Sequence, residues 1–587
     1  MAELFQQTFC IDYNGWVTGV SKAPPPKQID FDSQTIPQLI YTKAEMDRVA
    51  AVFDAEKQSL TFSKIVSEME SLAAGFLSIG LKQGDRVLVA GSNHSQVMLC
   101  ALACSRAGLV FSLANPNYSN SYSLKRALEL GEFQCIVCFR AHQFEADHLN
   151  NLLLEISPEL MRSRKGQLKS ELLPKLTHVI LAEEEHKHAG TFTLSEVFLK
   201  SSKDKIAKLP DFSKWSSHKL ACLQFTLVGL LKDETSPISL FQGTTGAPKL
   251  IALSHYQMLN GARAVAAAFG INDKHVLACA LPIFRIAIFN LICLSPFLTE
   301  CRIVFPDATP LPKNLFSSVS KYKCTTLLSN GAALRLLLKI SQTQRVKLSA
   351  LENILLIGDR VSKEVLKLIK LQAENVKIIA ARAVGYLLTE TGSIPLMGDQ
   401  NSDFTRNVGK PIAGYEAHLI PLDGSENQVE TGKLGKLLIR VYYGSTFMGY
   451  APDTKGKEKW VDTGDIARMD ENGAIEVVAS EEDLIYDKNN CLVEHWNLER
   501  LLNQNDLIKG VQVVSRGRGQ PVTAVCVARS TQFHAAKLKD ELKSMCRSHH
   551  FVAPDVFAFV DDFPRVHTKI QKFRIRSMLE SGQISVF

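Results

Sequence analysis

From Arg86 to Phe139 the chain repeats one pattern: a short apolar run, a turn, then a helical stretch. Arg86–Ala90 follows the turn Gly84-Asp85 and reads as a strand, and Gln96–Ala107 reads as a helix with Cys100 and Cys104 one turn apart. Leu109–Leu113 is a second strand, stopped by Asn115-Pro116; Ser121–Leu130 is helical again, and Cys135–Phe139 is a third strand. Strand–helix–strand units with short connections predict a parallel sheet with helices on both faces. The alternation returns between Val276 and Leu356, with strands near Arg302–Phe305 and Asn353–Ile357. The most apolar stretch, Val276 to Leu298, is interrupted by Pro282, Arg285, Asn290 and Pro296. It reads as a buried strand followed by a helix rather than a bilayer span, so no transmembrane anchor is expected.

From Pro411 to Val478 the texture changes to short runs rich in β-branched residues, punctuated by Asp423-Gly424 and Asn472-Gly473. These turns predict a mostly antiparallel section. After Ala479 a charged helix, a strand, a helix and a strand are expected, enough for a small separate domain. At 587 residues the chain exceeds one hydrophobic core, and the expected division is 1–480 and 481–587. Met161–Lys175 and Ser201–Lys219 read as polar surface insertions.

Wholesale disorder is excluded by a composition 46% hydrophobic and 22% charged. Lys and Arg number 67 against 60 Asp and Glu, a formal charge of +7. The basic stretches Arg162–Lys165 and Lys203–Lys208 are short and read as solvated loops, so no nucleic-acid partner is expected. The 13 cysteines include a lone pair, Cys135 and Cys138, with no second pair to complete a zinc site. Reduced, buried thiols in an intracellular protein are the expectation. Met1–Lys27 has no apolar signal core and carries Glu3 and Asp12, unlike an Arg-rich transit peptide.

The most informative segment is Ser239–His255. Gly243 and Gly246 allow successive backbone N–H groups to face one concavity, Thr244 and Thr245 add hydroxyl donors, and Lys249 adds a positive charge. A polyphosphate needs such a set. It is not a Walker A loop, because Ala-Pro-Lys follows the second Gly. Downstream lies Gly385–Thr391, where Tyr386 could cover a base and Thr389-Glu390 could meet a metal ion. Asp462–Asp465 (DTGD) reads as a carboxylate at a tight turn, suited to vicinal ribose hydroxyls. The basic segment Phe563–Arg576 holds Lys569. Taken singly, each has a bland alternative: a Gly-rich turn, a helix-start acid at Glu390, a turn cap at Asp465, and a surface lysine in a basic helix start at Lys569. His549-His550 and Gly517-Arg518-Gly519 read as a solvated helix end and a hairpin loop.

In this order the four motifs resemble the adenylate-forming (AMP-binding) superfamily of acyl-CoA synthetases, luciferases and nonribosomal adenylation domains. Gly84–Asn93, Ala107–Ser119 and LPIF at Leu281–Phe284 fit the N-terminal part of that family. The closing HTKIQKFRIR is most similar to the acyl-CoA synthetase family member 2 group, which activates medium-chain fatty acids. The resemblance implies a large α/β N-terminal domain of helix-covered, mostly parallel sheets with a β-rich section, and a small mobile α+β C-terminal domain. It implies an acid–thiol ligase that turns a fatty acid into an acyl-adenylate with ATP and Mg²⁺, then into a coenzyme A thioester. Lys569, Glu390 and Lys249 are then the catalytic candidates. Gly243, Thr244, Thr245, Gly246, Tyr386, Thr389 and Asp465 join them in holding nucleotide, with Glu390 the Mg²⁺ ligand. Asp483 is the hinge, and Arg285, Gly358 and Gly385 are candidates for the acid pocket. The same group suggests mitochondria, with the cytoplasm left open by the N-terminal segment.

Several positions depart from the family's pattern. Gln242 stands for Ser, Leu250 and Leu387 for Gly, Arg285 for a pocket His, and Ile288 for Gly. The junction normally reads Gly-Arg-x-Lys-Asp; here it is Ala479-Ser480-Glu481-Glu482-Asp483. Lys488-Asn489 replaces a Gly-Gly turn, and Thr568 replaces the Gly before the lysine. One lost charge-assisted contact costs about 1.5–3 kcal/mol, so a rival reading stays open: a catalytically impaired relative that binds nucleotide, an acyl ligand or a protein partner. A third is adenylation without coenzyme A transfer.

Overall fold

The structure, a computed structural model, describes residues 29–183, 187–226, 249–356, 363–376, 378–381, 389–398, 408–423, 429–441, 460–530, 533–566 and 569–586. Two seven-stranded sheets dominate it. The first runs in the order Phe192–Thr193, His178–Leu181, Cys135–Cys138, Arg86–Ala90, Val110–Ala114, Leu220–Phe225, Leu250–Ser254. Its neighbours are parallel except the last pair, which is antiparallel. The second runs Ile378–Ala381, Asn353–Leu356, Thr326–Ser329, Val276–Cys279, Arg302–Phe305, Val49–Phe53, Gln58–Thr61, again parallel up to an antiparallel edge.

The helix Ser95–Ala107 is buried at every position but Gln96, as a helix enclosed by neighbours on all sides must be. It packs on Phe62–Ser78. That helix approaches its own neighbour so closely at Gly75 that a Cβ there would lie 2.2 Å from the Val197 carbonyl oxygen. The stretch after Val276–Cys279 forms not one helix but Ile286–Phe289, a π turn at Asn290–Leu294 and Ser295–Thr299. The two expected insertions are not wholly superficial. Leu168 and Leu173 are buried in the core of the first sheet, and Lys203–Ala207 packs on Phe62–Ser78.

The β-rich section is a four-stranded sheet in chain order, Tyr415–Ile420, Gly435–Val441, Val461–Met469 and Ile475–Ser480. The turn at Asn472-Gly473 joins its last two strands. Gly473 has φ of 76°, and Asp470 Oδ1 accepts from the N–H groups of Asn472 at 2.9 Å and Ala474 at 2.8 Å. Gly424 lies outside the described residues.

Beyond Ser480 there is more strand than expected. A short antiparallel pair, Ile485–Tyr486 with Leu492–Val493, precedes the helix His495–Leu502. Ile508–Val514 and Thr523–Ala528 then form a hairpin, with Val556–Val560 parallel to the second strand. The helices Ala535–Ser548 and Lys572–Glu580 complete this part. Residues 515–522 are therefore the hairpin loop that Gly517-Arg518-Gly519 suggested. The chain divides into two compact units: Met1–Lys433 with Leu437–Thr463 and Met469–Glu476, and Leu434–Lys436 with Gly464–Arg468 and Val477–Phe587.

Candidate functional site

The segment carrying Gly243, Thr244, Thr245 and Gly246 lies outside the described residues, but both of its ends are fixed. Leu220–Phe225 and Leu250–Ser254 pair antiparallel, Phe225 opposite Leu250. One residue further out, the Thr226 N–H donates to the Lys249 carbonyl at 2.9 Å, and the Lys249 N–H donates to Thr226 Oγ1 at 3.3 Å. The connection 227–248 thus leaves and re-enters the sheet at one closed neck, with Lys249 on its rim.

Beside this neck lies the corner bearing Arg285. Asn93, 2% exposed, donates from Nδ2 to the Leu281 carbonyl at 3.0 Å and accepts from the Ile283 N–H at 2.9 Å. Gln224 Nε2 donates to the carbonyls of Leu113 at 2.9 Å and Phe284 at 3.1 Å. The two amides therefore hold the segment 281–285 to the carboxyl-terminal end of the first sheet, where ligands of open α/β sheets bind. Arg285 precedes the helix Ile286–Phe289. Its side chain keeps some exposure, yet Nε is enclosed without a hydrogen-bond partner among the described residues. Burial lowers its pKa below the usual arginine value.

Thr389–Thr391 is a 3₁₀ turn with both threonines buried. The Gly392 carbonyl that follows accepts from Asn290 Nδ2 at 2.8 Å, and Ser393 Oγ donates to the Gly261 carbonyl at 2.9 Å. The turn adjoins both Leu250–Ser254 and Ile286–Phe289. Within the first unit the structure therefore brings together the strand after Lys249, the Arg285 corner and the Glu390 turn. Gly358, Gly385 and Tyr386 lie outside the described residues. Glu390 offers the oxygen donor that a hard cation such as Mg²⁺ takes.

Asp465 corrects the sequence reading: DTGD is no tight turn but part of the strand Val461–Met469. Within that strand Gly464 is left-handed, at φ of 67°. Asp465 itself is 3% exposed. In the second unit Asp483 closes a short 3₁₀ turn, Glu481–Asp483, and forms an ion pair with Arg576. Glu481 pairs with Lys436 at 2.6 Å. Lys569 begins the strand Lys569–Ile570, paired antiparallel with Arg565–Val566; the helix starts only at Lys572.

Three site-shaping residues escaped the sequence reading: Gln224, Asn290 and the clamp role of Asn93. Their signal is a lone amide inside or beside an apolar run, as in LACLQF and IAIFNLICL, since a buried amide must find partners. A cavity of about 150 Å³ beside Asp483, lined in part by Tyr486, Arg516, Arg518 and Arg576, was also unforeseen. Cys135 and Cys138 are free and buried, and burial raises both thiol pKa values. His549 and His550 are exposed at a helix end. Among the described residues no helix is long and apolar enough to cross a membrane.

The sequence pattern of the family described as AMP-binding enzyme matches residues 41–451. The zebrafish (Danio rerio) medium-chain acyl-CoA ligase ACSF2, mitochondrial, is 26% identical over 581 residues, covering 96% of this chain and 90% of its own. Its human (Homo sapiens) counterpart is 25% identical, at 94% and 88% coverage. The putative acyl-CoA synthetase YngI of Bacillus subtilis is 25% identical, at 92% and 96%. Among solved structures, ATP-bound MatB from Rhodopseudomonas palustris superposes with a TM-score of 0.73 at 17% identity, covering 94% of this chain and 99% of that one. The anthranilate CoA ligase AuaEII, in complex with anthranoyl-AMP, gives 0.71 at 16%, covering 94% and 98%. These superpositions bear out the expected fold class: helix-covered, mostly parallel sheets, a β-rich section and a smaller α+β part.

Proposed function

Since the chain belongs to the AMP-binding enzyme family, we propose that it is an AMP-forming acid–thiol ligase. In this reading a fatty acid of medium chain length reacts with ATP to give an acyl-adenylate and pyrophosphate. Coenzyme A thiolate then displaces AMP. The observation that carries the proposal is that the Glu390 turn adjoins both the strand that follows Lys249 and the helix that follows Arg285. The relatives named as acyl-CoA ligases support the acid and the thiol, and their description as mitochondrial supports a mitochondrial location.

Attack of a carboxylate on a triphosphate sets one anion against another, so the barrier falls when fixed donors neutralise the phosphates. Gly243, Thr244, Thr245, Gly246 and Lys249 take that role. Mg²⁺, with Glu390 and beside Thr389, would supply further charge neutralisation when bound. Tyr386 stacks on the adenine, Asp465 accepts from the ribose hydroxyls, and Lys569 reaches the carboxylate and α-phosphate oxygens. Arg285, Gly358 and Gly385 line the acid pocket. Residues 1–480 and 481–587 are the two functional bodies, and Asp483 is the joint between the half-reactions.

A second reading rests on Ser480 and Glu481. Ser480 is buried and cannot supply a guanidinium, and Glu481 pairs with Lys436 instead of facing a phosphate. It makes the chain a binding protein that retains the fold.

The test is ATP–pyrophosphate exchange with a panel of carboxylic acids of graded chain length. Exchange with at least one acid is expected. Lys569→Ala should reduce it by about ten- to a hundredfold, the loss of one charge-assisted contact, with an unchanged melting temperature. A folded protein that exchanges with no acid sinks the ligase. Tight nucleotide binding without exchange would then favour the second reading.

A further inference from the structure

A cluster far along the first sheet from the corner just described has chemistry of its own. Asp147 is the residue before the helix His148–Ile156, yet its carboxylate makes no capping hydrogen bond. Glu183 follows the strand His178–Leu181, and His188 lies five residues further on. One ligand atom from each of the three can be chosen so that all lie within 4.8 Å of one another. His188 Nε2 stands 3.4 Å from Asp147 Oδ1 and 3.8 Å from Glu183 Oε1. Among the described residues no lysine or arginine pairs with either carboxylate.

These separations suit a shared ion. A tetrahedral ion with donors at about 2.0–2.1 Å sets those donors about 3.3–3.4 Å apart. The bland alternative is a histidine donating to one carboxylate, but His188 Nε2 is enclosed and has no hydrogen-bond partner among the described residues. A second observation comes from the other ring nitrogen. Asn150, 3% exposed, has its amide 3.1 Å from His188 Nδ1, while its Oδ1 is enclosed without a partner. The two ends of an amide are assigned by their partners. Turned about, Asn150 places Oδ1 on Nδ1–H. The flip satisfies the oxygen but moves Nδ2 into the enclosed place where Oδ1 had stood, and it leaves Nε2 its lone pair facing the two carboxylates. A buried oxygen fixing the far nitrogen is the support a metal-bound imidazole requires.

We propose that Asp147, Glu183 and His188 bind one divalent transition-metal ion of the zinc type. One imidazole with two carboxylates favours such an ion over Mg²⁺, which prefers oxygen donors alone. The bound ion pins the start of the helix His148–Ile156 to the segment following His178–Leu181, with solvent supplying the remaining ligand. This site is independent of the ligase chemistry.

The experiment uses the full chain, stripped with a chelator and titrated with Zn²⁺ against a chromophoric competitor. About one equivalent should bind, and Mg²⁺ in about hundredfold excess should not displace it. His188→Ala and Asp147→Asn should each weaken binding about tenfold or more. Asp147 is half exposed, so its variant should fold normally, and both variants should melt as the parent does in chelator. Added Zn²⁺ should raise only the parent's melting temperature. Co²⁺ in place of Zn²⁺ should give visible ligand-field bands without the near-ultraviolet band of a sulfur ligand. No binding, binding undiminished in Asp147→Asn, or a sulfur band from the cysteines would each overturn the proposal.

Discussion

His255, the first residue of the helix His255–Ala268, is 3% exposed. The Ile36 N–H donates to its Nδ1 at 3.3 Å, so that nitrogen must keep its lone pair. Burial first, then the nearby Lys219 charge, pushes the pKa down to about 3, and a helix start also disfavours a cation. His495 is held down to about 2, by burial and then by Lys572. An unfolded histidine takes its proton near about pH 6.5. Between that value and the folded pKa the unfolded chain binds more protons, so stability falls as pH falls. At pH 5 each buried histidine costs about 2 kcal/mol relative to neutral pH. Urea unfolding at pH 7 and pH 5 should show the loss, and His255→Gln should flatten part of it. A variant with the same pH slope as the parent would refute the assignment. Neither histidine was legible in the sequence, because a polar residue in an ordinary helix pattern gives no sign of which neighbours will enclose it.

At the scale of elements, the strands were legible because their chemistry is local. Arg86–Ala90 and Arg302–Phe305 fall at the expected bounds, being short β-branched runs between turn formers. The terminal strand pair Arg565–Val566 with Lys569–Ile570 was not, since its residues resemble a charged helix and pairing is decided across the turn. The site was read in part. Glycines, threonines and Lys249 raise the expectation of an anion loop by type, the loop itself lying outside the described residues, whereas the clamps by Asn93, Gln224 and Asn290 depend on carbonyls distant in sequence. Asn93→Ala would strand the Ile283 N–H in the interior and leave the Leu281 carbonyl only the weak Cys279 Sγ–H donor, at 3.1 Å. It should cost about 2–3 kcal/mol and lower pyrophosphate exchange by loosening the corner that carries Arg285. Thermal melting and exchange measured on one preparation check this; an unchanged melting temperature would mean that water replaces the amide.

For the whole molecule, the joint proposed at Asp483 lies inside the second compact unit, six residues into its segment Val477–Phe587, and the two half-reactions test that proposal separately. Proline at 483 fixes φ without adding bulk. Asp483→Pro should leave pyrophosphate exchange within about threefold and slow thioester formation about tenfold or more, about 1.4 kcal/mol of barrier. Equal loss in both assays would place Asp483 outside the joint. The closed neck at Thr226 and Lys249 has a historical consequence as well. The paired strands bring the two ends of 227–248 together, and lengthening a flexible loop closed in this way is penalised only slowly, about 0.6 kcal/mol per doubling. Insertions between these two strands are therefore open to a descendant chain at little entropic cost.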